Sequence, residues 1–166
     1  GDLSMIPQYE NGYLKADPDL SESFKKRINS ISKKPKLGIS WRSGHIDISR
    51  NSAYIGLENL LPLIKEIDAE FICLKYDCTE EERALVKSKT GKSLHIWPET
   101  DLKQNIEANL AIMDNLDIVL GPGIATQMMS FAVGCETWQL EWSRPWWNFG
   151  QSYENTIIHH APKSKY

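Results

Sequence analysis

The sequence predicts an α/β fold, a doubly wound parallel sheet of five to six strands of Rossmann-like type. Two observations carry that expectation. From residue 36 onward short apolar runs alternate with amphipathic stretches, and a Gly121-Pro122-Gly123 break ends one apolar run and opens a helix. Strands that alternate with helices need crossover connections, and right-handed crossovers place helices on both faces of a parallel sheet.

Residues 1–35 are expected to form a linker strap and an N-terminal helix, and residues 36–166 the Rossmann-like domain. The opening stretch to about Lys15 holds turn formers without a period, with Tyr13 and Leu14 as its expected anchors. Asp17 then caps a helix that has Pro18 at its first position, where a missing N–H is harmless. Leu20, Phe24 and Ile28 recur at four-residue spacing and carry that helix to about Asn29. Residues 37–41 read as a buried strand, 57–67 as a helix and 70–75 as a second strand.

Thr79 and Glu82 form a capping box for the next helix, which should end near Lys89. Residues 93–97 are a short third strand. Asp101 is expected to open a helix whose apolar face carries Ile106, Leu110 and Met113, before a fourth strand at 117–120. The helix after Gly123 closes at Gly134, a left-handed carboxyl cap, and residues 136–141 are the fifth strand. Beyond it lie an aromatic loop with Trp142, Trp146, Trp147 and Phe149, and a last apolar pair, Ile157 and Ile158.

A chain of 166 residues suits a single core. Its formal charge of -3 and pI near 5.8 provide no footprint for wrapping nucleic acid. Cys73, Cys78 and Cys135 have neither zinc-site nor disulfide spacing, which points to a reducing compartment and a cytoplasmic location. No apolar run approaches the roughly 20 residues that span a bilayer. A first residue of Gly1 rather than methionine suggests a piece of a longer protein.

In such sheets ligands sit outside the carboxyl ends of the strands, near the point where strand order reverses. The main candidate is the helix mouth after the fourth strand. There Gly121 and Gly123 allow close backbone approach, amides from Gly123 and Ile124 onward suit a diphosphate, and Thr126 and Gln127 add side-chain donors. The plain alternative is a tight turn that needs glycine sterically. Arg42 and Ser43 follow the first strand, with His45 and Arg50 on the same loop, and a guanidinium matches phosphate with a planar fork of donors. A solvated surface charge is the competing reading.

Glu141 and Trp97, at strand ends, are candidates for ribose and base contacts; packing in the core is the commoner use of tryptophan. Asp101 reads as a helix cap, and Asp77, Glu99 and the glutamates from Glu80 as solvated. No nucleophile–base arrangement, metal cluster or evident general base stands out, so neither cofactor nor metal is expected.

The order of these motifs resembles the carboxyl-terminal domain of GT-B glycosyltransferases, specifically the heptosyltransferase-like proteins often attached to tetratricopeptide repeats. Residues 13–18 are similar to the segment entering that domain, and residues 37–44 to its first strand and loop. The most specific likeness runs from Asp101 through Trp138, and Pro145-Trp146-Trp147 resembles an element near the family's end. The resemblance implies a nucleoside-diphosphate sugar as donor substrate. It also implies an N-terminal Rossmann half that supplies the acceptor site and usually the base, with tetratricopeptide repeats in the same parent chain. Where many relatives carry Asp-Thr and, four residues after the threonine, histidine, this chain has Gly123-Ile124 and Met128.

Two other functions remain open at the level of sequence. One is a non-catalytic GT-B-like binding or interaction domain, favoured by those replacements. The other is a dinucleotide-binding oxidoreductase domain, suggested by the two glycines and by Glu141 about twenty residues on.

Overall fold

The computed structural model describes residues 9, 11–44 and 54–140. Within them the chain runs α1 (Pro18–Ile31), β1 (Lys36–Ile39), α2 (Leu57–Glu66), β2 (Glu70–Cys73), α3 (Glu80–Thr90), β3 (Leu94–His95), α4 (Ile106–Met113), β4 (Ile118–Pro122), α5 (Ala125–Val133) and β5 (Thr137–Leu140). The five strands lie in the order β3-β2-β1-β4-β5, and every neighbouring pair is parallel. The order reverses beside β1, between the crossover through β2 and the crossover to β4. That is the predicted doubly wound sheet; the aromatic loop and the pair Ile157 and Ile158 lie outside the described residues.

The alternation of side chains along each strand separates two cores. Leu37, Ile39, Phe71, Cys73 and Leu120 face α2 and α3, where Leu60, Ile64 and Val86 meet them. Ile72, Leu74 and Val119 face the other way, against Phe24 and Ile28 of α1 and the buried run of α4. On this second face lie Gly38 of β1 and Ser40 just beyond the strand, and the lack of a side chain at Gly38 lets Leu74 and Leu116 close over the strand. With apolar layers on both faces, the strands read as continuous buried runs.

Local chemistry sets most helix ends as expected. Asp17 accepts from the Leu20 amide at 2.9 Å with Pro18 in the first turn. Thr79 and Glu82 make the reciprocal capping box of α3, and Gly134 ends α5 at φ 85°. The strap differs from expectation. Tyr13 and Leu14 are exposed, and the anchor is backbone: the Leu14 amide donates to Ala132 O at 2.8 Å. Gly12, also at positive φ, fits against Ala132–Gly134 where a side chain would overlap the main chain.

The largest departure is at α4. Asp101 Oδ1 accepts from the Lys103 and Gln104 amides and closes a turn, and Asn105 restarts the chain by capping the Ala108 amide at 2.9 Å. The helix therefore begins at Ile106, which is 49% exposed and does not lie on the core face. Every residue from Ala108 to Met113 is buried. A helix buried all round has no single apolar stripe, so periodicity misplaces its face.

Gly38→Ala would put a methyl 2.5 Å from Leu116 Cδ1 and 2.7 Å from Leu74 Cδ1. Forcing both leucines to repack should lower stability by about 1–3 kcal/mol, read as a shifted midpoint at unchanged slope in urea denaturation.

Candidate functional site

The described residues form a cleft at the carboxyl ends of β1, β2 and β4, where a doubly wound sheet places its ligands. Arg42 and Ser43 come from the segment after β1, Lys75 and Tyr76 from the segment after β2, and Lys103 and Asn109 from the turn and helix after β3. Ile124, Ala125 and Thr126 bring the head of α5. The cleft has a volume of about 150 Å³.

The head of α5 is held from inside. Gln127 is fully buried (0% exposed). In the amide orientation that satisfies every partner, its nitrogen donates to Pro122 O at 2.7 Å. Its oxygen accepts from Ser40 Oγ at 3.2 Å and from the Gly121 amide at 3.1 Å. A Cβ at Gly121 would overlap the Gln127 amide and crowd Ser40. The Gln127 amide, expected at the mouth, is turned inward, and the space beside Gly121 is taken by Gln127 and Ser40.

Among the described residues nothing bonds to the outer side of the same turn. The Gln127 and Met128 amides donate to Ile124 O, whereas those of Ala125 and Thr126 are the first two of the helix, for which helical geometry offers no intrahelical acceptor. Among the described residues no side chain caps them, and no acidic residue sits in the first turn. The positive end of the dipole therefore faces the cleft.

Arg42 reaches the cleft, but its charge is answered by the chain. Nη1 lies 3.2 Å from Asp77 Oδ2 and Nη2 lies 3.6 Å from Glu82 Oε1. Lys75, with a side chain only 1% exposed, meets the same two carboxylates at 2.6 and 3.2 Å. Trp41 Nε1 also donates to Glu82 Oε1 at 3.1 Å. Two cations and two anions make a neutral cluster, so the charge of Arg42 is balanced within the protein rather than left to solvent. Asp77 and Glu82, expected in water, are its half-buried partners.

Trp97 is not in the cleft. Its ring packs edge-on against Phe24, centroids 5.4 Å apart, with the Arg27 guanidinium 5.2 Å away, on the face of the sheet shared with α1. Glu99, expected in solvent, pairs with that arginine while its own side chain stays largely exposed. His45, Arg50 and Glu141 lie outside the described residues. Lys75, Tyr76, Lys103 and Asn109 carry no motif that marks them in the sequence. Only their position one turn beyond a strand end or on the α4 entry turn could have pointed to them.

Burial pushes the Asp77 carboxyl up, but the Lys75 ammonium and Arg42 guanidinium together bring it below its ordinary 3.8. A depressed folded value means stability that is present above 3.8 and lost as pH falls through the lower folded value. Asp77→Asn should therefore lower the thermal midpoint at pH 7 and make its decline below about pH 4 shallower, measured by circular dichroism across a pH series.

No protein-family model matches the chain. Protein FlbA of Caulobacter vibrioides is 28% identical over 145 residues, which cover 86% of this chain and 24% of that protein. The chain thus spans about a quarter of the relative's length. The E. coli ADP-heptose lps heptosyltransferase II matches with a TM-score of 0.64 and 8% identity, over 92% of this chain and 44% of that one. A glycosyl transferase family 9 structure from Veillonella parvula gives 0.62 and 9%, over 80% and 38%. Neither likeness supports the expected link to tetratricopeptide repeats. Identities this low speak to fold alone, and on that ground the chain has the fold of one Rossmann-like half of a GT-B glycosyltransferase.

Proposed function

We propose that the cleft holds the diphosphate of a sugar nucleotide and that the chain acts as the donor-binding half of a glycosyltransferase. The observation that carries this is the uncapped head of α5, which opens into a cleft at the switch point of the sheet. Fixed amide donors and the helix dipole stabilise the negative charge that grows on a departing nucleoside diphosphate, with no reorganisation at the moment of transfer. The E. coli and Veillonella structures share the fold, and the E. coli protein is an ADP-heptose heptosyltransferase.

A second reading is a GT-B-like binding domain without transfer activity. The specific observation in its favour is the cleft lining, which among the described residues includes no aspartate, glutamate or histidine to serve as a base. A base supplied by another half would reconcile that lining with catalysis. The oxidoreductase alternative has less support. A dinucleotide fingerprint follows the first strand, whereas Gly121 belongs to β4 and its open side is filled by Ser40 and Gln127.

Ala125→Pro tests the donor. Proline is well suited to the first position of a helix, and Ile124 before it already has extended angles, φ -122° and ψ 177°. The variant should keep its thermal midpoint and lose about tenfold or more in affinity for nucleoside diphosphates by calorimetry, the worth of about one hydrogen bond to a charged group. Unchanged affinity would remove the helix head from the binding site.

A further inference from the structure

We infer that Lys103, rather than Arg42, is the residue that neutralises the bound diphosphate, an assignment that rests on the donor-binding reading of the cleft. Among the described residues three cations line the cleft: Arg42, Lys75 and Lys103. The first two share Asp77 and Glu82, two positive charges against two negative ones. An arriving diphosphate would have to break those ion pairs and leave half-buried carboxylates unmatched, an exchange with little net gain. Lys103 has no such competitor: among the described residues no carboxylate pairs with it.

What Lys103 does touch keeps its charge intact. Its ammonium stands 5.6 Å from the centroid of the Tyr76 ring, and a ring face attracts a cation without cancelling its formal charge. Tyr76 is 44% exposed, and its hydroxyl end lies over Gly44, where a Cβ would collide with it. The ring is thus braced from the β1 side while it supports the lysine from the β2 side.

The backbone carrying Lys103 is also fixed. Asp101 Oδ1 accepts from the Lys103 amide at 2.9 Å. The Asn109 side chain, 2% exposed, donates to Leu102 O at 2.6 Å and to Asn105 O at 3.1 Å. A lysine on a locked turn that lines the same cleft as Ala125 and Thr126 adds a positive charge to the one their amides provide.

Calorimetric titration of the chain with ADP, GDP, UDP and CDP, and with inorganic pyrophosphate, tests this. For the tightest of these ligands, Lys103→Met should weaken binding about tenfold or more, as expected for loss of a charge-assisted contact. It should also flatten the dependence of affinity on salt, at an unchanged thermal midpoint. Lys103→Arg should retain most of the affinity. Arg42→Gln should instead lower the midpoint and change affinity less than Lys103→Met does. Equal binding by wild type and Lys103→Met, or a larger affinity loss in Arg42→Gln, overturns the assignment while leaving a diphosphate site in place. No binding of any ligand to wild type at millimolar concentration overturns both the assignment and the donor-binding reading.

Discussion

The buried amide of Gln127 is the contact on which the geometry of the cleft depends. It joins β4, through Pro122 O and the Gly121 amide, to Ser40 at the end of β1. One side chain thus sets where the two central strands end and where α5 begins. Its partners are all buried, so losing any of them would strand a polar atom away from water, which costs about 1–3 kcal/mol. Glycine is required at 121 for the same reason: a larger residue there would displace the amide and, with it, the head of the helix.

From that joint the two sides of the α5 turn divide their roles. The inner side is saturated by the protein, while the outer side leaves the Ala125 and Thr126 amides toward the cleft. The same division recurs after β1 and β2. Trp41 and Lys75 turn inward with Glu82, Arg42 and Asp77 complete the balance, and Tyr76 remains outward. Among the described residues the cleft therefore has a neutral, internally bonded part and unpaired positive character at a helix end and one lysine. Under the proposed function, an anion would be held there by added attraction, without first breaking a structural ion pair.

Much of the fold was legible because its determinants are local. Asp17-Pro18, the Thr79–Glu82 box and the left-handed Gly134 each act within a few residues, and the alternation of strand and helix implied the parallel sheet. The site was less legible because its pairings are distant. Ser40 and Gln127 are 87 residues apart and Arg42 and Asp77 are 35 apart, so sequence could place each near a strand end without revealing that they satisfy one another. Trp97 misled in a similar way, since a ring at a strand end can serve a ligand or the core, and only Phe24 and Arg27 decide between them. The α4 entry turn was hidden by a helix buried on all sides, and Lys103 was hidden with it.

Whether the first amides of α5 meet the ligand is tested most directly by titrating the ¹⁵N-labelled chain with a nucleoside diphosphate and following its amides by NMR. The Ala125 and Thr126 resonances should shift downfield together and saturate with one dissociation constant, while the buried Gln127 side-chain amide keeps its position. Saturable shifts confined to other surfaces, with those two amides unmoved, would contradict the account.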